Sequence, residues 1–157
     1  MFKTAEQIVN LLKNKNIKLS IAESCTGGML AQVITSVCGA SKVFEFGIVS
    51  YSNQSKIKQL QVPLKIIKKY GSVSEQCCYS MVNNLAKISK TTLNIAITGI
   101  AGPKGGSKLK PVGLVYIGIK KNNRTSVEKY LFKNNNRENI RKKSVKKSLE
   151  LIKNLFK

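Results

Sequence analysis

The chain switches between two apolar periods. In residues 1–14, Ile8, Leu11 and Leu12 recur at helical spacing among Glu6, Gln7 and Lys13, which predicts an amphipathic helix. "IKLSIAE" (17–23) is a short β-rich run, and "GGMLAQVITSV" (27–37) returns to helical spacing, so the two predict a strand, a turn and a helix. "FEFGIVSYS" (44–52), with its β-branched and aromatic residues, is a second strand, and the polar "NQSK" after it starts a short helix. Pro63 punctuates the way into "LKIIKKY", which Gly71 stops. Ser74 stands where an N-cap would, Glu75 lies in the first turn beside the positive end of the helix dipole, and that helix runs to about Ser89.

"LNIAITGI" (93–100) is nearly continuous in apolar residues, as expected of a strand covered on both faces, and belongs at the centre of a sheet. "PVGLVYIGIK" and "TSVEKYLF" are two further strands, and the "KNNR" between them puts Asn122 and Asn123 in a tight hairpin turn. The last helix runs from about Arg137 to Phe156. Ile140, Val145, Leu149, Ile152 and Phe156 share one side of it, and Arg141, Lys142, Lys143, Lys146 and Lys147 lie mostly on the other, as a solvated face. The alternation predicts an α/β fold, a three-layer α/β/α sandwich with a mostly parallel central sheet and an antiparallel hairpin at one edge, in a single domain over 1–157.

Composition narrows the partners. No apolar run approaches the roughly 18 residues of a membrane span, and the first helix lacks the apolar core of a signal peptide, so a cytoplasmic protein with no membrane contact is expected. Cys25, Cys38, Cys77 and Cys78 do not resemble a secreted disulfide framework, since two of them are adjacent, and are read as reduced thiols. With no histidine and no C-x-x-C pair, the usual zinc constellations lack ligands, and neither a metal nor a cofactor is expected. Lys and Arg number 28 against 7 acidic residues, a net charge of +21 that would attract nucleic acid or phosphorylated small molecules. The excess is mostly lysine scattered among asparagine and isoleucine, which fits an AT-rich coding bias. Without an aromatic platform or a nucleic-acid-binding motif, nucleic acid is not the expected partner.

Two glycine-rich stretches carry the candidate chemistry. "SCTGG" (24–28) follows the first strand and "TGIAGPKGG" (98–106) the third, at the ends of strands where an α/β sheet receives its ligand. Neither is a P-loop or a dinucleotide fingerprint. A serine nucleophile needs a base, and a chain without histidine has no Ser-His or Cys-His pair. Lysine is the main remaining candidate, provided its pKa falls by roughly three units, at a cost of about 4 kcal/mol. Lys56 stands out because "SYSNQSK" puts it, with Tyr51, at the end of the second strand. From spacing alone two readings stay open: a Ser24–Lys56 dyad, or Ser24 as a helix cap and Lys56 as a solvated side chain. Cys25 would be a small residue buried beneath the turn.

"AESCTGG", "FGIVSYSNQSK", "YGSVSE" and "ITGIAGPKGGSKLKPVGLVYIGI", in this order, resemble the C-terminal domain of the CinA family, the nicotinamide-nucleotide amidohydrolases, over about residues 5 to 150. The resemblance implies an α/β/α domain, usually a homodimer, that hydrolyses the carboxamide of nicotinamide mononucleotide to nicotinic acid mononucleotide and ammonia without a metal. It puts the serine nucleophile on Ser24, the lysine base on Lys56 and a supporting tyrosine on Tyr51, with Cys25 a bystander. Thr26, Gly27 and Gly28, together with Thr98, Gly99, Gly102, Gly105 and Gly106, would line the site and offer N–H groups to a phosphate or to an oxyanion, the two jobs undivided. The family's last arginine follows a Gly-Asp pair in an "F-x-G-D-R" turn; here the stretch is "FKNNNR", one residue longer, and Arg137 takes that place. Since no pyrophosphatase-like domain precedes these motifs, a stand-alone amidohydrolase is expected. The alternatives are a degenerate member that binds a nucleotide without hydrolysing it, motivated by the altered turn, and a basic nucleic-acid-binding protein.

Overall fold

A computed structural model describes residues 1–133 and 136–156 of the chain. The helices and strands follow in the order α1 (Phe2–Asn14), β1 (Leu19–Glu23), α2 (Met29–Thr35), β2 (Phe44–Val49), α3 (Asn53–Leu60), α4 (Leu64–Tyr70), α5 (Glu75–Ser89), β3 (Leu93–Gly99), β4 (Leu114–Lys121), β5 (Arg124–Leu131) and α6 (Arg137–Asn154), with a 3-10 turn at Ala40–Lys42. The sheet order is β2-β1-β3-β4-β5. β1 is parallel to both its neighbours, whereas β4 is antiparallel to β3 and to β5, so β4 alone is reversed. The nearly continuous apolar strand β3 is central, as its composition predicts.

Helices cover both faces. α1, α2 and α6 pack together on one side, and α5, with α3 and α4 against it, packs on the other. Alternation along each strand divides the core accordingly: Leu19, Ile21, Leu93, Ile95, Ile97, Val115, Ile117 and Ile119 face the first layer, while Ala22 and Ala96 face the second. Small residues beneath α5 let it lie close to the sheet. At Gly118 of β4 an added Cβ would stand 3.1 Å from Val82 Cγ1 and 3.2 Å from Cys78 Sγ. Each fully buried Leu, Ile or Val contributes about 1.5–3 kcal/mol, so this double core supplies most of the gross driving force.

Local signals set most element ends. Ser74 caps α5, its Oγ accepting from Cys77 N–H at 3.1 Å, and Ser52 caps α3 in the same way from Ser55 N–H at 3.0 Å. The hairpin turn is the two-residue Asn122–Asn123, with Asn122 at φ +53°. The second helix begins at Met29 rather than at residue 27 because Gly27 and Gly28 sit at φ +60° and +92°, outside helical space. The second strand stops at Val49, and Ser50 to Ser52 turn the chain into α3. All four cysteines are free thiols, and Cys25, Cys77 and Cys78 are buried. Among the described residues no helix is long and apolar enough to cross a membrane.

Candidate active site

Because β1, β2 and β3 are parallel, their carboxyl ends open on the same edge of the sheet, with β2 on one side of β1 and β3 on the other. A cleft of about 230 Å³ lies there, lined by Ser24 and Cys25 after β1, Tyr51 after β2, Lys56 of α3, Ser72 and Val73 before α5, Thr98 to Gly102 at the end of β3, Lys104, Gly105, and Arg137 of α6. A larger depression of about 610 Å³, around Lys121, Arg124 and Leu155, lies at the opposite end of the sheet. Its hydroxyls, Thr125 and Ser126, lie on an edge strand beside the exposed hairpin turn and are not paired with a buried base, so the chemistry and not the volume selects the smaller cleft.

Lys56 and Ser24 meet in that cleft. Lys56 Nζ donates to Ser24 Oγ at 2.8 Å, to the Ser50 carbonyl at 2.7 Å and to the Tyr51 carbonyl at 3.3 Å. Lys56 is 1% exposed and Ser24 7%. Among the described residues no carboxylate stands within ion-pair distance of the ammonium. Burial without a counter-charge holds its pKa below the ordinary lysine value. Cys77 and Cys25 would raise it only as thiolates, and burial pushes those thiols up to about 11 and about 12, so both stay neutral. Lys56 also lies in the first turn of α3, near the positive end of the helix dipole, which disfavours the cation further. Neutral, it keeps two N–H bonds to the carbonyls and turns its lone pair to the Ser24 hydroxyl. The solvated-lysine reading is thereby excluded.

The cap reading of Ser24 is excluded as well. The N-cap position of α2 is Gly28, and the capping group comes from Glu23, whose carboxylate accepts from Gly28 N–H at 3.1 Å, Leu30 N–H at 3.1 Å and Ala31 N–H at 2.8 Å. Glu23 is 1% exposed. This overturns part of the expectation for the first glycine turn. Gly28 N–H is taken by Glu23, and Gly27 N–H donates to the Ser24 carbonyl at 3.0 Å, so neither is free for an anion. Thr26 is fully buried, and its carbonyl accepts from Arg141 Nη2 at 2.7 Å. Arg141, expected on the solvated face of the last helix, is instead turned in over the nucleophile turn. Thr26, Gly27 and Gly28 support Ser24 without lining the cleft.

The second glycine stretch is the cleft wall. Thr98 is buried and its Oγ1 donates to the Ser72 carbonyl at 2.8 Å. Gly99 is required by close approach, since an added Cβ would lie 2.8 Å from the Leu114 carbonyl oxygen. Gly102 and Gly105 line the cleft at φ +77° and +88°, whereas Gly106 belongs to an adjoining depression with Pro103, Lys108 and Val112. Arg137 closes the rim: Nη1 donates to the Gly102 carbonyl at 2.9 Å and Nη2 to the Tyr51 hydroxyl at 2.8 Å. Of the altered turn, Asn136 caps α6, its side chain accepting from Asn139 N–H at 2.9 Å, and Asn134 and Asn135 lie outside the described residues. Asn136 thus leaves Arg137 as the first residue of α6, directed at the cleft. Sequence reasoning missed Lys104, Ser72, Val73, Glu23 and Arg141. An acid directly before a glycine turn, and an arginine four residues after Arg137, were the signals available for the last two.

A family model described as the CinA C-terminal domain matches residues 1–156. The chain is 44% identical over 147 residues to a CinA-like protein of Kosmotoga olearia, covering 94% of this chain and 35% of that protein. It is 43% identical over 150 residues to a competence-damage inducible protein, so named provisionally, of Clostridium perfringens, covering 95% and 36%. It therefore spans about a third of the length of these curated relatives. Among solved structures it superposes on the competence/damage inducible protein CihA from Agrobacterium tumefaciens with a TM-score of 0.96 at 34% identity, over 99% of this chain and 95% of that one. The competence damage-inducible protein A from Klebsiella pneumoniae gives 0.93 at 27% identity, over 98% and 96%. The chain belongs to the CinA C-terminal domain family.

Proposed function

We propose that this member of the CinA C-terminal domain family hydrolyses the carboxamide of nicotinamide mononucleotide, with Ser24 as nucleophile and Lys56 as base. The observation that carries the reading is the buried 2.8 Å contact between Lys56 Nζ and Ser24 Oγ, with no carboxylate among the described residues to keep the lysine charged. The neutral amine takes the hydroxyl proton as Oγ attacks the carboxamide carbon. The ammonium returns that proton to the amide nitrogen, the C–N bond breaks, and ammonia leaves an acyl-serine. Water then gives a proton to Lys56 as it attacks the acyl carbon, and Ser24 Oγ recovers the proton from Lys56 as the acid departs. The chain's own residues account for each proton.

Besides the neutral base, the basic side chains lining the cleft are Lys104 and Arg137, and no Asp or Glu is among the described lining residues, which suits a substrate carrying a phosphate. With Gly27 and Gly28 N–H committed, and Ile100 N–H given to the Leu114 carbonyl, the donors for phosphate and oxyanion fall to Cys25, after the nucleophile, and to the wall from Ala101 to Gly105. One well-aimed oxyanion donor contributes about 3 kcal/mol to the transition state. By resemblance the domain would work as a homodimer in the cytoplasm. The degenerate-member alternative loses its motive, because Arg137 reaches Tyr51 and Gly102 despite the changed turn.

Ammonia release from nicotinamide mononucleotide, measured in metal-free buffer beside Ser24→Ala, tests the proposal. Release that disappears in a folded Ser24→Ala protein is expected. No release by the folded natural chain would sink the reading, and thermal stabilisation by the unconsumed nucleotide would then favour a binding protein.

A further inference from the structure

The turn that carries Ser24 is fastened by two charged residues outside the cleft. Glu23 holds its helical end through the Gly28, Leu30 and Ala31 N–H groups. Arg141 holds its middle, donating to the Thr26 carbonyl across 115 residues of chain. An added Cβ at Gly27 would meet the same guanidinium nitrogen at 3.4 Å, so the side chain lies against the turn. Arg141 Nε, meanwhile, is buried with no hydrogen-bond partner among the described residues, and so is Thr26 Oγ1. Native interiors rarely leave such atoms unpaired for stability alone, and departures from that rule collect at functional sites.

Arg137 lies one helical turn before Arg141 on α6 and binds Gly102 and Tyr51. One edge of α6 therefore holds the nucleophile turn and the opposite cleft wall in a common frame. Lys56 is tied to the Ser50 and Tyr51 carbonyls and does not depend on that turn for its place. If the turn loosens, Oγ leaves a base that stays put.

We propose that Arg141 is a positioning residue for Ser24, setting the nucleophile turn through the Thr26 carbonyl so that Oγ stays within reach of Lys56. The inference rests on Ser24 being the nucleophile but not on the identity of the amide substrate. It is tested with a small alkyl fluorophosphonate: Ser24 Oγ forms a bond to phosphorus, the P–F bond breaks, fluoride leaves, and the hydroxyl proton passes to Lys56. Arg141→Met keeps the aliphatic stem and loses the donors; it should slow phosphonylation, and kcat for ammonia release with it, by about 30-fold at nearly unchanged KM and Tm. Arg141→Lys should recover the rate to within about fivefold of the natural chain, because an ammonium can still donate to the Thr26 carbonyl, and Lys142→Ala on the exposed face should leave it unchanged. A folded Arg141→Met protein labelled within about twofold of the natural rate overturns the proposal while leaving Ser24 as nucleophile. If Arg141→Met does not fold, Arg141→Gln decides, because its side chain ends about where Nε stands and falls short of the Thr26 carbonyl: slowing by about tenfold or more is expected, and a fully natural rate overturns the proposal. A natural chain that labels nowhere at Ser24 removes the dyad reading and this inference together.

Discussion

The two glycine-rich turns at the mouth of the sheet look alike in composition and do opposite work. In 24–28 three backbone donors are committed: Ser24 to the Ile97 carbonyl, Gly27 to the Ser24 carbonyl and Gly28 to the buried Glu23. That turn is a rigid mount for a nucleophile. In 98–106 the glycines let the chain pass close under β4 at Gly99 and against Val112 at Gly102, where an added Cβ would lie 2.5 Å from Cγ1, and then bend beside the cleft at Gly105, where the nearest atom would be 4.0 Å away. That stretch is a wall facing a ligand. Glycine makes a close approach possible, but whether the N–H groups can receive an anion depends on what has already taken them.

The largest effect that sharpens the contrast is at the mount. Lys56→Ala should lower ammonia release by at least about 10³-fold, because Oγ loses its base. Turnover within tenfold of normal would remove Lys56 from the chemistry. In the natural chain the rate should climb as pH rises through the lowered Lys56 pKa, reaching a plateau when the amine is neutral. Stability carries the same sign. Between that lowered pKa and the ordinary lysine value the unfolded chain holds a proton that the folded one lacks, so this group makes the protein more stable as pH increases across the interval. A kcat that falls over the same range would contradict the base role.

Next in size is Glu23→Ala, which orphans three N–H groups at the start of α2 and should destabilise the protein by about 3 kcal/mol in urea unfolding. A loss under about 0.5 kcal/mol would mean that water replaces the carboxylate readily and that the turn is not rigidly held. The smallest and most diagnostic effect comes from a matched pair. Gly28→Ala and Gly105→Ala both place a methyl at positive φ with nothing nearer than 3.6 Å and 4.0 Å, so each should cost about 1 kcal/mol of stability. KM for the nucleotide should rise about fivefold in Gly105→Ala and stay level in Gly28→Ala. Equal rises in both would erase the distinction between mount and wall.

Where sequence reasoning succeeded, the cause is local. Helical and alternating periods, the caps at Ser52 and Ser74, and Asn122 in the hairpin are all decided by neighbours within a few residues. The continuous apolar run of β3 announced a central strand for the same reason. The missing histidine was legible too, and it left lysine as the main candidate base before any contact was known. Lys56 was picked out by its place after the second strand, and the family motifs then agreed.

Tertiary structure decided the rest. That Lys56 is buried and reaches Ser24 follows from β2 lying beside β1, which no local pattern specifies. That Glu23 caps a helix beginning six residues later follows from two glycines folding the turn back on its own strand. That Arg141 points inward, against the solvated face its spacing suggests, follows from α6 starting at the open end of the sheet, which sets its second turn beside Thr26, before it runs to Leu155 at the other end. A polar side chain takes its role from whichever unpaired donor or acceptor the fold delivers to it, and across 32 or 115 residues of chain only the packed sheet and helices determine which one that is.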